Sequence, residues 1–378
     1  MKETGLMNTT KRHALHIIHG YNEPFLSLSN LYSRALQNDG WHVTTVFLTG
    51  TADENIRQQV IADRVLFFNT PDSHMKGLKV GTLLRIRKLL KESATRLIIA
   101  QRYKSVYLAL LGSIGMPVHV LGIAHAFGVL KPAGRRRLLN FFRSRLTLAG
   151  VSESVTADMR SDEKSIRLTT LLNGIDSENL ETKLLSRTDA RKKLGITDDE
   201  FVFGNVGRLH DDKDQATIIR AFAAIATKHP TAKLLLIGKG KREASYRALI
   251  EQLGLQGRAI MTGPLPDAAT LFTAFDAYVS ASDREPFGIV LTEAMLARIP
   301  VISTDCGGAA EVLGKHALYF SRGDDAALAK ALETVFNQPL EERQKSGAAL
   351  YARLQQQFSF LPFQERLLAL VASMVKPL

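Results

Sequence analysis

Short apolar runs recur along the chain, each followed by a longer stretch in which apolar residues return every three or four positions. In the first half, runs at 15–19, 43–48, 65–68, 97–100, 118–123, 146–151 and 168–172 predict strands, with amphipathic segments such as 26–37 and 83–91 between them. In the second half, 201–206, 234–237, 259–261, 277–280, 301–303 and 318–320 repeat the rhythm, and helices are expected near 216–228, 244–252, 268–275 and 291–297. Strands that are apolar throughout need cover on both faces, so the alternation predicts two doubly wound parallel sheets layered by helices. A chain of 378 residues is long enough to bury two cores. The seam is expected between 173 and 200, where Asn173-Gly174 marks a turn and 176–199 is charged and weakly periodic. This gives an amino-terminal domain over 1–185 and a carboxyl-terminal domain over 186–354, with a last helix near 355–378 expected to pack back on the first. Open α/β sheets bind ligands beyond the carboxyl ends of their strands, so functional residues are expected just after strands, facing a cleft between the domains.

Residues 105–130 contain no Asp, Glu, Lys or Arg, long enough to cross a bilayer. Gly112, Gly115, Pro117, Gly122 and Gly128 interrupt the stretch, and His119 and His125 lie inside it, so a helix, a turn and a buried strand are expected instead. No signal peptide is expected either, since the first apolar run, 14–18, is short and broken by His16; residues 1–12 read as a frayed tail. The lone cysteine, Cys306, excludes an intramolecular disulfide framework and a cysteine-built zinc site, and its expected role is packing.

Charge separates the halves. Residues 1–185 carry 25 basic and 15 acidic side chains, against 24 and 22 in the remainder. Nine Lys or Arg lie between Lys76 and Lys104 against the single acid Glu92, and six lie between Lys131 and Arg145 against none. The first domain therefore suits an anionic partner: a phosphorylated glycan, a membrane surface or nucleic acid. Both basic segments interleave leucines or phenylalanines with their cations, as surface-lying amphipathic helices do and as ordinary sheet-packed helices also do.

The densest chemistry lies in 280–295, a strand end that opens a helix. Free backbone N–H groups around Gly288, Ile289, Val290 and Leu291 suit a phosphate, with the helix dipole behind them. Glu285 in the loop and Glu293 in the helix can accept hydrogen bonds from hydroxyl groups, and carboxylates beside a phosphate pocket suggest a sugar nucleotide. At 205–213, again after a strand, Arg208 and Lys213 can reach one diphosphate and stabilise the charge that gathers on it as a glycosidic bond breaks. Asp212-Lys213-Asp214 has the spacing of a metal triplet, but its own lysine and Arg208 oppose a divalent cation, so no metal is expected.

Glu285 and Glu293 with seven residues between them, Gly207-Arg208-Leu209 with Lys213, 236–240, Asn173-Gly174-Ile175-Asp176, and 300–308 with Glu311 together resemble the retaining family 4 glycosyltransferases of the GT-B fold. That resemblance implies two Rossmann-like domains facing a cleft. It implies that Arg208 and Lys213 bind the donor diphosphate, that Glu293 binds the ribose and that Glu285 binds the sugar's hydroxyls. Gly207 and the 288–291 backbone would line the donor site. His125 is similar to the family's histidine that touches the transferred sugar. Where the family has a glycine-rich loop after the first strand, only Gly20 stands here. Such enzymes need no metal and no catalytic base of their own, because the leaving phosphate takes the acceptor's proton on the same face, and no cofactor is expected. The donor implied is a nucleoside-diphosphate sugar, by family habit UDP-linked. With the basic first domain, the expected acceptor is a lipid-linked glycan such as a lipopolysaccharide core, reached from the cytoplasmic face of a membrane.

Three other functions compete. A glycoside hydrolase holds two carboxylates across its substrate, whereas Glu285 and Glu293 belong to one domain beside an anion pocket. A nucleic-acid binder lacks here a recognisable module or aromatics interleaved with its basic runs as a stacking platform. A non-catalytic sugar-nucleotide-binding protein would keep the same donor residues, and donor hydrolysis without acceptor distinguishes it.

Overall fold

The computed structural model describes residues 12–71 and 80–375. The apolar runs become two sheets. In the first, β1 (Arg12–Ile18), β2 (Trp41–Phe47), β3 (Arg64–Phe67), β4 (Leu97–Gln101), β5 (His119–Ala124), β6 (Leu146–Gly150) and β7 (Arg167–Thr170) are parallel, in the order β3-β2-β1-β4-β5-β6-β7. In the second, β8 (Phe201–Val206), β9 (Ala232–Ile237), β10 (Ala259–Gly263), β11 (Ala277–Ser280), β12 (Val301–Thr304) and β13 (Leu318–Phe320) are also parallel, in the order β10-β9-β8-β11-β12-β13. Central strands such as β4, β6 and β12 are buried along their whole length, whereas the edge strands β3 and β7 are not. That gradient is what helical cover on both faces of a parallel sheet produces. Each order reverses once, at β1/β4 and at β8/β11, and these switch points are where open α/β sheets place ligands.

Helices supply the cover. Phe25–Asn38 buries Leu28, Leu31, Tyr32, Ala35 and Leu36, and Gln215–Ala226 buries Ile218, Ile219, Phe222 and Ile225 within the second core. Asp214 caps the latter helix, its carboxylate accepting from the Thr217 N–H and hydroxyl. The segment expected near 268–275 is a 3₁₀ helix, Ala268–Ala274. In the uncharged stretch, helix Arg102–Gly112 and β5 replace any spanning segment, and no helix among the described residues is long and apolar enough to cross a membrane.

The chain divides into one unit of residues 1–174 with 361–378 and another of 175–360. The first boundary thus falls after Gly174, ahead of the position 185 read from the sequence, because 175–185 bond within the second unit: Glu181 accepts from Arg298 at 2.7 Å and Leu185 N–H donates to the Thr270 carbonyl at 3.0 Å. Asp276 accepts from Arg187, Arg191 and Arg343 at 2.8, 2.7 and 3.3 Å, which ties helix Arg187–Leu194 into the second unit. Arg191 is buried, and its two terminal nitrogens also donate to the carbonyls of Thr197 and Glu200, while its Nε has no partner among the described residues. The last helix, Phe360–Met374, serves the first unit: Phe363 packs edge-on against Tyr32, and Gln364 accepts from Asn38 at 2.7 Å. Of the expected tail, 1–11 lie outside the described residues, while Arg12 opens β1 and pairs with Asp39. Lys76 and Lys79 of the basic run also lie outside them.

Candidate functional site

Beyond β8 the chain runs through Gly207, Arg208 and Leu209 into a 3₁₀ turn, Asp211–Lys213. This loop is held from the side by the one after β9. Gly207 N–H donates to the Ile237 carbonyl at 2.9 Å and Leu209 N–H to the Lys239 carbonyl at 3.0 Å. Contact is so close that a Cβ on Gly238 would stand 1.9 Å from the Gly207 carbonyl oxygen, with φ there at +147°, so glycine is required. Around Gly207 itself the space is open. Arg208 is largely exposed and reaches Asp212 at 3.5 Å. Asp212 is also held by His210, and Asp211 gathers Lys241 and Arg242, whose hydrogen bonds and charges bring its carboxyl down to about 2. The apparent metal triplet is thereby dispersed: Asp212 pairs with Arg208 and His210, Lys213 turns to Glu285, and Asp214 caps a helix. No group of three or more His, Cys, Asp or Glu suited to a metal occurs among the described residues.

Beyond β11, residues 281–288 form the facing loop, and the Lys213 ammonium donates to Glu285 Oε2 across it. Ser282 lies 3.5 Å from the same oxygen, and Asp283 N–H donates to the Asp212 carbonyl at 3.0 Å, stitching the two loops together. A third loop braces them. Gly308 N–H donates to the Glu285 carbonyl at 2.7 Å, and a Cβ on Gly308 would come within 2.5 Å of the Pro286 carbonyl oxygen. Thr304 adds a hydroxyl bond to the Ser282 carbonyl at 2.7 Å. Cys306 is buried there, and that burial raises its thiol pKa, so it stays a neutral packing group.

Gly288 caps helix Ile289–Leu296 with no side chain satisfying the first turn. Of the four backbone donors expected at 288–291, Leu291 is a correction: its N–H already bonds the Gly288 carbonyl at 2.9 Å. Ile289 and Val290, partly exposed in the first turn, receive no partner from the helix itself. Glu285 and Glu293 both lie near buried Tyr278: its phenol is pushed far up by burial, and both carboxylates push the same way. That hydroxyl donates to the Val206 carbonyl at 3.1 Å, which fixes β8 against β11. Arg208, Lys213, Glu285, Glu293 and the 289–290 backbone therefore all belong to one switch point, offering cations, carboxylates and free N–H groups together.

His125 and Gly20 belong to the first unit. His125 follows β5, partly exposed, edge-on to Phe25 at 5.4 Å, with Arg102 over the Phe25 ring. Its Nε2 lies 2.5 Å from Gln101 Oε1, and burial, then the Arg102 charge, lowers its pKa to about 3. Gly20 lines a cavity of about 480 Å³ at the ends of β1, β2 and β3, with Tyr21, Thr49, Thr51, Asn69 and Thr70. Sequence reasoning missed Gln101, Tyr278 and Ser282. Gln101 left a signal, a polar residue closing an apolar run; Tyr278 and Ser282 left none, because their roles depend on which strands are neighbours.

Two parallel doubly wound sheets, the second with a charged switch point, define a GT-B fold. Residues 186–353 match the family described as Glycosyl transferases group 1, and that segment belongs to it. Among curated proteins, the putative glycosyltransferase EpsD of Bacillus subtilis is 32% identical over 151 residues, 39% of this chain and 40% of that protein. The chain thus spans well under half the length of that relative. Among solved structures, a glycosyltransferase from Rickettsia africae superposes with a TM-score of 0.84 at 16% identity, covering 97% of this chain and all of that one. Anabaena HepE in complex with UDP and glucose gives 0.79 at 21% identity, over 96% of this chain and all of that one.

Proposed function

We propose that this chain is a retaining, metal-independent glycosyltransferase that moves a sugar from a nucleoside-diphosphate sugar, UDP-linked, to a lipid-carried glycan. The observation that carries this reading is the Lys213–Glu285 pair, a cation and a carboxylate side by side at the ends of β8 and β11. A sugar diphosphate presents the matching pair of groups, an anion joined to a polyol. Lys213, with Arg208 beside it, neutralises the diphosphate as the glycosidic bond breaks, while Glu285 accepts from sugar hydroxyls. The N–H groups of Ile289 and Val290 add donors for a phosphate oxygen, and Glu293 takes the ribose. Asp212 and Asp214 are otherwise engaged, which supports transfer without a divalent ion. HepE, solved with UDP and glucose, supports the choice of UDP. The test is release of UDP from a panel of sugar nucleotides in EDTA, with and without lipid-linked acceptors; no release from any donor removes the reading.

Docking of the first unit on an anionic membrane is the second part of the proposal, and the structure narrows its basis. Helix Val80–Glu92 packs Ile86 and Leu90 inward, so its apolar stripe serves the core. Several cations also have structural work: Arg85 donates to the Phe68 carbonyl, Arg87 to Ile114, Arg136 to Leu130 and Arg145 to Leu110 and Ser113. What favours docking is the surface that remains. Leu84, Ile114 and Phe141 are 61%, 47% and 79% exposed, on segments that Arg87 and Arg145 tie to the same turn at 112–114. Arg137 and Arg143 are exposed beside Phe141.

A further inference from the structure

Inside the apolar run of β1 stands a histidine with no exposed surface, His16. Its neighbours follow from strand order. Register pairs it with Thr45 of β2; on the other side lies β4, which ends at Gln101, and beyond that β5, after which comes His125. A line of hydrogen bonds crosses all four strands. His125 Nε2 lies 2.5 Å from Gln101 Oε1, Gln101 Nε2 lies 3.1 Å from His16 Nε2, His16 Nδ1 lies 3.3 Å from Ser33 Oγ, and Ser33 Oγ lies 3.4 Å from Thr45 Oγ1.

An amide has one acceptor end and one donor end, and here each end meets an imidazole nitrogen. The Oε1 end requires a proton on His125 Nε2. The Nε2 end requires a bare nitrogen on His16, whose proton then sits on Nδ1, where the Ser33 hydroxyl accepts it. Two neutral histidines are thus held in opposite tautomers by one side chain. Both stay neutral: burial above all, and then the facing His125, brings His16 down to about 3, and burial with Arg102 does the same for His125. His125 Nδ1 has no hydrogen-bond partner among the described residues, and the ring is partly exposed.

We propose that Gln101 and His16 are positioning residues that fix His125 as the Nε2–H tautomer, leaving Nδ1 a neutral acceptor for a hydroxyl of the transferred sugar. The tautomer rests on the orientation of the Gln101 amide, Oε1 toward His125 and Nε2 toward His16; its use toward a sugar rests on the transferase reading. Positive charge grows on the sugar ring as its bond to the leaving phosphate breaks. An imidazolium would oppose that charge, whereas a bare lone pair that accepts from a hydroxyl does not.

The test is the tautomeric state of both rings, read from two-bond proton–nitrogen correlation spectra of the full chain at neutral pH. The expected result is a proton on Nε2 of His125 and on Nδ1 of His16. A proton on His125 Nδ1, or averaging between tautomers in either ring, overturns the proposal. Gln101→Glu presents acceptors at both ends and is expected to move a proton onto His16 Nε2, with His125 unchanged. Gln101→Leu is expected to let His125 average, and to lower kcat about tenfold, as loss of one neutral hydrogen bond does, with the Kd for UDP held within about twofold. Averaging at His125 with an unchanged kcat overturns the positioning role. If the unaltered chain shows the expected tautomers but turns over no sugar nucleotide, the transferase reading fails and the proposed use toward a sugar fails with it, while the tautomer assignment is upheld.

Discussion

The two sheets reverse at β1/β4 and at β8/β11, and the side chains at the two reversals differ in kind. At β8/β11 they are charged and half-buried: Lys213 on Glu285, with Arg208 open to solvent and paired loosely with Asp212. At β1/β4 they are neutral, the buried His16 imidazole and Gln101 amide joined in a line to the partly exposed His125. One topology thus carries two chemistries. Solvent-accessible cations suit an anion that arrives and leaves, whereas a neutral acceptor held in a buried line suits a hydroxyl that must be held in one orientation.

The largest effect that breaks this comparison is expected at Lys213. Lys213→Ala removes the cation and leaves Glu285 without its partner, so turnover should fall by about 10² to 10³-fold with the fold retained; steady-state rates at saturating donor, beside a circular dichroism spectrum, check it. Arg208→Ala, at a more exposed site, should lose about 10²-fold by the same assay. Gly308→Ala comes next. Its Cβ would press on the Pro286 carbonyl, so the 285–287 loop must shift, and a loss of about 1–3 kcal/mol should appear as a lowered chemical-denaturation midpoint.

Acid sharpens the neutral side. The folded chain holds His16 at about 3 while the unfolded chain titrates near 6.5, so between those values the unfolded state binds the extra proton. The contribution is complete above pH 6.5 and is lost as pH falls, by up to about 1.4 kcal/mol per unit. Denaturation midpoints from pH 7 to 4 should show a slope that His16→Gln flattens. The smallest effect is at the proposed docking patch: Phe141→Asp should weaken co-sedimentation with anionic liposomes several-fold at low salt and leave turnover of a soluble acceptor unchanged. Equal binding of the unaltered chain to neutral and anionic vesicles would remove the docking role.

Periodicity alone located all thirteen strands of the described residues, because a parallel strand buried on both faces must be apolar throughout. Arg208, Lys213, Glu285 and Glu293 were also legible, since each follows a strand and carries a charge that a buried position would not tolerate. What periodicity does not contain is strand order. The sequence marked His16 only as a break in an apolar run, and nothing local joins it to Gln101 eighty-five residues later. That pair becomes visible once β1 and β4 are neighbours. The boundary after Gly174 lies inside the expected seam of 173–200, but 176–199 reads as a charged linker until Asp276, far along the chain, collects its arginines.

The most direct measurement of the central claim, that the charged reversal alone takes the nucleotide, is calorimetric titration of UDP into the full chain in EDTA. The account predicts binding without metal, weakened at least tenfold by Lys213→Ala and unchanged by Gln101→Leu. Binding that requires a divalent ion, or that survives Lys213→Ala and Arg208→Ala at full strength, would contradict it.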